Sequence, residues 1–166
     1  MEQTINCTAE ELEQVMQCYG TTVYRLAYSQ LRSVSDAEDV FQEVFIRYFR
    51  KRPAFESEEH RKAWLLRVTL NRARSHATSA WRRHTVPLED QVSFPEPKSR
   101  QLDEALSQLR PGDRSLLHLF YYEELSIREI AGLLGRKEST VRTQLTRARS
   151  RLGKIMKGEE DYERRI

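Results

Sequence analysis

Cysteine is nearly absent from this chain of 166 residues. Cys7 and Cys18 are the only two, eleven apart, with no CxxC spacing and no histidine pair beside them. That excludes a disulfide scaffold, makes a cysteine-based zinc site unexpected, and fits a reducing cytoplasm. The four histidines (His60, His76, His84 and His118) are scattered without an HExxH or HxH pattern. There is no nucleophile motif and no glycine-rich phosphate loop, so neither an enzyme, a metal, a cofactor nor a small-molecule substrate is expected. Five prolines and six glycines are too few for a collagen-like or low-complexity chain. No run approaches the roughly 18 uncharged apolar residues that a membrane span requires. The N-terminus lacks the basic-then-apolar layout of a signal peptide, so neither membrane insertion nor export is expected.

What the chain does contain is charge and aromatic surface. Charged residues make up 32 % and apolar residues 39 %, the mean hydropathy is −0.72, and six Phe, seven Tyr and two Trp argue against disorder. The net charge of +3 conceals a strong segregation. Residues 1–50 carry 8 acids against 4 basic residues, net −4, and residues 51–84 carry 3 against 9, net +6. Residues 85–125 return to 8 against 4, net −4, and residues 126–157 carry 2 against 9, net +7. Solvated helical surfaces mix their signs, so two basic blocks of this size imply two polyanion-facing surfaces.

The periodicity is helical throughout, with no alternating run and no Asn-Gly or Asp-Gly hairpin signal. Thr8 with Glu11 forms a capping box for a helix to about Leu31, with a bend near Gly20. Ser35 with Glu38 repeats the signature and opens a helix bearing Ala37, Val40, Phe41, Val44, Phe45 and Tyr48, stopped by Pro53. Ser57 is placed to cap a long helix through Trp64 to about Arg83. Residues 85–98 hold three of the five prolines and no helical period, the signature of an extended linker.

Four helices are expected beyond it. Leu102, Ala105, Leu106 and Leu109 line the first, which ends at Pro111-Gly112; Leu116, Leu117, Phe120 and Tyr121 line the second. Ser126 with Glu129 is a third capping box, for a helix bearing Ile127, Ile130, Ala131 and Leu134 that Gly135 ends. The last runs from about Glu138 to Met156 on a stripe of Val141, Leu145, Ala148 and Leu152. The expected fold is all-α: an N-terminal helical bundle (1–84), a linker (85–98), a C-terminal four-helix domain (99–157) and a short charged tail (158–166).

Two short helices joined by a glycine-containing turn form a helix-turn-helix, whose second helix enters the major groove of DNA. Arg142, Thr143, Gln144, Thr146, Arg147 and Arg149 lie off its apolar stripe. Arg142 and Arg147 suit bidentate contacts to guanine, while Lys137, Arg149, Arg151 and Lys154 suit phosphates. In the N-terminal half, Asp39, Gln42 and Glu43 share a face at i, i+3, i+4. Acids early and basic residues late in that helix suit its dipole; the same acids also suit a basic protein partner, and these residues alone leave both readings open. The next helix has no acid from Arg67 to Arg83, and Asn71, Arg74, Ser75 and His76 lie among its arginines, with Trp64 and Phe55 upstream. Basic residues interleaved with amides and aromatics suit unstacked or single-stranded DNA, although Trp64 reads as core.

The runs 36–47 (DAEDVFQEVFIR), 63–68 (AWLLRV), 125–131 (LSIREIA) and 139–142 (STVR) resemble the sigma-70 family of RNA polymerase sigma factors, in particular its extracytoplasmic function (ECF) group. The likeness covers roughly residues 15–157. It implies that Asp36, Asp39, Gln42 and Glu43 meet the β′ clamp helices of core polymerase. It further implies that Asn71, with Phe55, Arg74 and Ser75, captures an unstacked base of the −10 promoter element. Lys137, Ser139, Thr140, Arg142, Thr143, Thr146, Arg147 and Arg149 would read the −35 element. The β flap and an anti-sigma factor are further implied partners, and the linker would follow the polymerase cleft. Three positions depart from the common pattern: the 53–58 loop lacks glycine, Thr146 is small, and Lys137-Glu138 replaces a Pro-containing turn. A regulator that binds an operator without polymerase is the alternative, but it leaves the 36–47 block without a task. A purely protein-binding adaptor leaves both basic blocks unexplained.

Overall fold

The computed structural model describes residues 8–83 and 97–164, with side chains described for 8–79 and 100–158. The described residues form seven α-helices and one π-helical turn, with no strand among them. The chain divides into two compact units, residues 1–88 and 89–166. Most of the expected linker lies outside the described residues. Its last two positions belong to a helix, which opens at Pro97, where a missing N–H costs nothing.

The N-terminal unit is a bundle of α1 (Ala9–Leu31), α2 (Val34–Lys51) and α3 (Glu58–Arg83). The capping box of α1 forms as expected: Thr8 Oγ1 accepts from the Glu11 N–H at 3.2 Å and Glu11 Oε2 accepts from the Thr8 N–H at 3.0 Å. Gly20 lies where α1 meets α2, and a Cβ there would come within 3.3 Å of the Phe41 ring. Helix α2 corrects the expected cap. Ser33, not Ser35, is its N-cap: it is buried, its Oγ accepts from the Asp36 N–H at 3.3 Å, and its carbonyl accepts from Ala37 at 2.9 Å. A buried turn must satisfy its own donors, so the enclosed hydroxyl takes the cap and the exposed Ser35 enters the helix. Ser57 caps α3 as expected, accepting from the His60 N–H at 3.1 Å.

Val23, Leu26, Ala37, Val40, Val44, Leu65 and Leu66 are all at most 1 % exposed and form the core. Burial of each Val or Leu side chain contributes about 1.5–3 kcal/mol. At its edge the Tyr19 hydroxyl donates to Glu58 at 2.7 Å, tying α1 to α3. Burial, reinforced by that hydrogen bond, pushes the Tyr19 phenol up to about 12.

The C-terminal unit comprises α4 (Pro97–Ser107), α5 (Pro111–Leu117), the π turn His118–Tyr122, α6 (Ile127–Leu134) and α7 (Glu138–Arg164). Pro111 starts α5 rather than ending α4. The apolar face of the second helix also differs from expectation. The π turn closes with the Glu123 N–H donating to the His118 carbonyl at 3.0 Å, adding a residue to the helical repeat. Leu119 is thereby fully buried, and Tyr121 is turned outward to 57 % exposure. Leu102, expected to line the first helix, is likewise exposed. Helix α7 continues past Met156 through the expected tail to Arg164. Among the described residues no helix is long and apolar enough to cross a membrane.

The helix-turn-helix expected from the sequence is present. Ser126 and Glu129 complete their capping box at 2.7 and 3.1 Å, and Gly135 ends α6 at φ 63° with its N–H on the Ala131 carbonyl. Val141, Leu145 and Ala148 are buried beneath α7. Two nearby glycines should therefore respond with opposite signs. Gly135→Ala forces a side chain into the left-handed region and should lose about 1–2 kcal/mol in urea unfolding of the full chain. Gly132→Ala, in open space within α6, should gain about 0.5–1 kcal/mol in the same measurement.

Candidate nucleic-acid interface

Three surfaces emerge, two on the N-terminal unit and one on the C-terminal unit. The first is the outer face of α2. Packing Val40 and Val44 inward leaves Asp39, Gln42 and Glu43 exposed on the opposite side, with Asp36 half-buried at the edge of that face beside α3. This face continues into Ile46 and Phe49, which are 49 % and 37 % exposed although apolar. Sequence reasoning missed those two. Their i+3 and i+7 spacing from Gln42, Glu43 and Ile46 was the available signal, and the general apolar pattern of α2 concealed it.

The second surface is a cleft of about 300 Å³ between α2 and α3. Trp64, Val68, Asn71, Arg72 and Ser75 line it from α3, and Arg47 and Lys51 from α2. The α3 residues fall at i, i+4, i+7, i+8 and i+11, one face of a single helix. Three of the lining side chains are cationic and none is acidic, so the cleft favours an anionic ligand. Asn71 and Ser75 are thus brought together as the sequence implied. Arg74 is exposed beside them without lining the cleft.

Phe55 is placed differently. Its ring stacks on Tyr48 at 6.1 Å, meets Trp64 edge-on at 6.0 Å and His60 at 5.3 Å, and lies under the Arg61 guanidinium at 5.4 Å. It anchors the 53–57 loop against the core and is not a free stacking platform. Trp64 fills both roles, packed edge-on against Tyr48 at 5.8 Å while lining the cleft. Arg47 and Lys51 read in the sequence only as charges suited to a helix C-terminus. Nothing local reveals that α3 crosses beside them.

The third surface is the exposed side of α7. Lys137, Ser139, Thr140, Arg142, Thr143, Thr146 and Arg147 are all exposed. Thr143 and Thr146 donate their hydroxyl protons to the carbonyls of Ser139 and Arg142, both at 3.0 Å, leaving their oxygens as outward acceptors. Gln144 is engaged within the unit, accepting from Arg136 at 2.6 Å. Two arginines read as phosphate contacts have intramolecular partners. Arg149 lies over Phe120 and Tyr121 at 5.3 and 5.5 Å, and Arg151 pairs with Asp113 at 2.6 Å.

Residues 15–83 match the family description "Sigma-70 region 2", and residues 99–152 match "Sigma-70, region 4". The chain belongs to the sigma-70 family, in its ECF group. Among its relatives, the ECF RNA polymerase sigma factor SigE of Mycolicibacterium smegmatis is 33 % identical over 156 residues, which cover 84 % of this chain and 59 % of SigE. The ECF RNA polymerase sigma factor SigW of Bacillus subtilis is 27 % identical over 164 residues, 86 % of this chain and 87 % of SigW. The fold is similar to that of the sigma factor RpoE of Bartonella quintana, solved in complex with the anti-sigma factor NepR. The TM-score is 0.76 at 22 % identity, covering 90 % of this chain and 98 % of that one.

Region 2 thus holds the acidic face and the cleft, and region 4 the α6–α7 surface. Within region 4, Arg149 and Arg142 should separate in thermal unfolding. Arg149→Ala loses its aromatic partners and should cost about 0.5–1 kcal/mol. Arg142→Ala, exposed and with no side-chain partner among the described residues, should change stability by less than about 0.5 kcal/mol.

Proposed function

We propose that the protein is a non-catalytic initiation subunit of the ECF type, which directs core RNA polymerase to promoters through −10 and −35 contacts while polymerase performs nucleotidyl transfer. The observation that carries this reading is that a single chain combines an acidic face, a cationic cleft and an exposed helix-turn-helix, within matched regions 2 and 4. An operator-binding regulator needs the last of these and has no use for the first.

On this reading the outer face of α2 docks on the β′ clamp helices through Asp36, Asp39, Gln42 and Glu43, with Ile46 and Phe49 adding apolar contact. The C-terminal unit reaches the β flap. The cleft takes a base that has left the duplex. Extraction costs a few kcal/mol, and stacking on Trp64 returns about 1–3 kcal/mol. Asn71 and Ser75 bond to the base edge, and Arg47, Lys51, Arg72 and Arg74 hold the adjoining backbone. Phe55 acts indirectly, by fixing the loop below Trp64. At the −35 element, Arg142 and Arg147 read base edges, Thr143 and Thr146 accept from them, and Lys137, Ser139 and Thr140 position the backbone. Arg149 orients α7 first and meets phosphate only at its margin. The setting is the cytoplasm, where polymerase works, and the likeness to RpoE solved with NepR supports an anti-sigma factor as a regulatory partner.

Run-off transcription of genomic fragments by core polymerase, with and without the protein, tests the reading. Promoter-specific transcripts are expected only when it is present. DNA binding without any transcript overturns the proposal in favour of an operator-binding regulator. In the same system Arg142→Ala should lose about 1–3 kcal/mol of discrimination at one base pair of the −35 element; a uniform loss over all sequences would make it a phosphate contact. Asn71→Ala should impair promoter melting, read by permanganate footprinting, more than duplex binding.

A further inference from the structure

His76 is the residue after the cleft-lining Ser75, and its ring reaches the first turns of α2. Its Nδ1 lies 3.7 Å from Asp36 Oδ1 and its Nε2 lies 3.7 Å from Asp39 Oδ2. Both distances exceed the roughly 3.2 Å limit of a hydrogen bond, and Nδ1 is buried without a hydrogen-bond partner. One ligand atom from each of the three side chains lies within 4.8 Å of the other two. Among the described residues neither carboxylate forms an ion pair with a lysine or arginine.

An ion can use only one of the two ring nitrogens, so the spacing that counts is the 4.8 Å that encloses one atom from each side chain, and the ligands draw in by about 1 Å to share an ion. Ligands bonded at about 2.0–2.2 Å to a tetrahedral ion stand about 3.3–3.6 Å apart. A neutral imidazole and two carboxylates together carry the charge that cancels a divalent cation. One nitrogen and two oxygens are the donors of a first-row transition metal of the zinc class, with water completing the shell. A bound ion would satisfy the ring nitrogen that has no partner. We propose that Asp36, Asp39 and His76 form a zinc-class divalent metal site that links α2 to α3. If the outer face of α2 is the polymerase-docking surface, as proposed above, an ion held here occupies two of its carboxylates and weakens docking.

The test is titration of the untagged full chain, freed of metal, with Co²⁺ and then Zn²⁺. Expected are a cobalt absorption band that zinc abolishes and a melting temperature that rises with zinc. His76→Gln and Asp36→Asn, with unchanged circular dichroism, should each bind zinc at least about tenfold more weakly. No cobalt band, or equal affinity in both variants, overturns the site. Core-polymerase binding separates the two proposals. Zinc should weaken it reversibly in the parent protein but not in His76→Gln. If Asp39→Arg weakens docking yet no metal binds, the metal site fails alone. If metal binds and Asp39→Arg leaves docking unchanged, the docking face fails and the site stands.

Discussion

The edge-on contact of Trp64 with Tyr48, at 5.8 Å, sets the register of α3 against α2, and each functional feature of the N-terminal unit follows from that register. The helices run antiparallel: twelve residues back along α2 from Tyr48 is Asp36, and twelve forward along α3 from Trp64 is His76. At 1.5 Å per residue both steps cover about 18 Å, so the aromatic contact at one end brings the imidazole to the carboxylates at the other. Between them the helices leave the cleft lined by Asn71 and Ser75. Phe55 closes the lower end by stacking on Tyr48, which makes the glycine-free 53–58 loop an extension of the core. Each such pair contributes about 0.5–1.5 kcal/mol beyond area burial, less than the Val and Leu core. The cluster matters for geometry more than for total stability.

In the C-terminal unit the equivalent constraint is the orientation of α7. Val141, Leu145 and Ala148 fix which face is buried. The contacts of Arg149 with Phe120 and Tyr121, and of Arg151 with Asp113, act further along the helix. Arg151 is 44 % exposed, so its ion pair contributes no more than about 1 kcal/mol. What the two arginines supply is direction: they turn the distal part of α7 toward α5 and the π turn and leave Arg142 and Arg147 exposed on its first turns. The π turn makes this arrangement available by presenting Phe120 and Tyr121 outward.

The surfaces differ in sign, and this gives the chain its division of labour. A net charge of +3 would steer almost nothing, whereas blocks of −4, +6, −4 and +7 attract a basic protein surface and a polyanion at separate places. On the proposed reading, phosphate contacts would supply affinity that falls with salt, and base contacts would supply sequence preference. The Asp36, Asp39 and His76 cluster lies at the border between the acidic block and the basic helix, so the proposed docking face and the proposed metal site draw on the same carboxylates.

Legibility in the sequence divides by distance along the chain. The capping boxes at Thr8 and Ser126, the turn at Gly135 and the Val141–Leu145–Ala148 stripe follow from residues within one or two turns of each other, and they are found where the pattern put them. The charge blocks and the motifs of regions 2 and 4 are likewise local. Tertiary packing decided what depends on residues far apart. It chose Ser33 over Ser35 because only the former is enclosed, and it buried Leu119 through the π turn. It drew Phe55 into the core, set Arg47 and Lys51 beside Asn71, and placed His76 between two carboxylates 37 and 40 positions upstream. Helical period and capping report which face of a helix is buried. Which residues of a second helix stand opposite depends on side chains interlocking across a shared core, and no single segment carries that information.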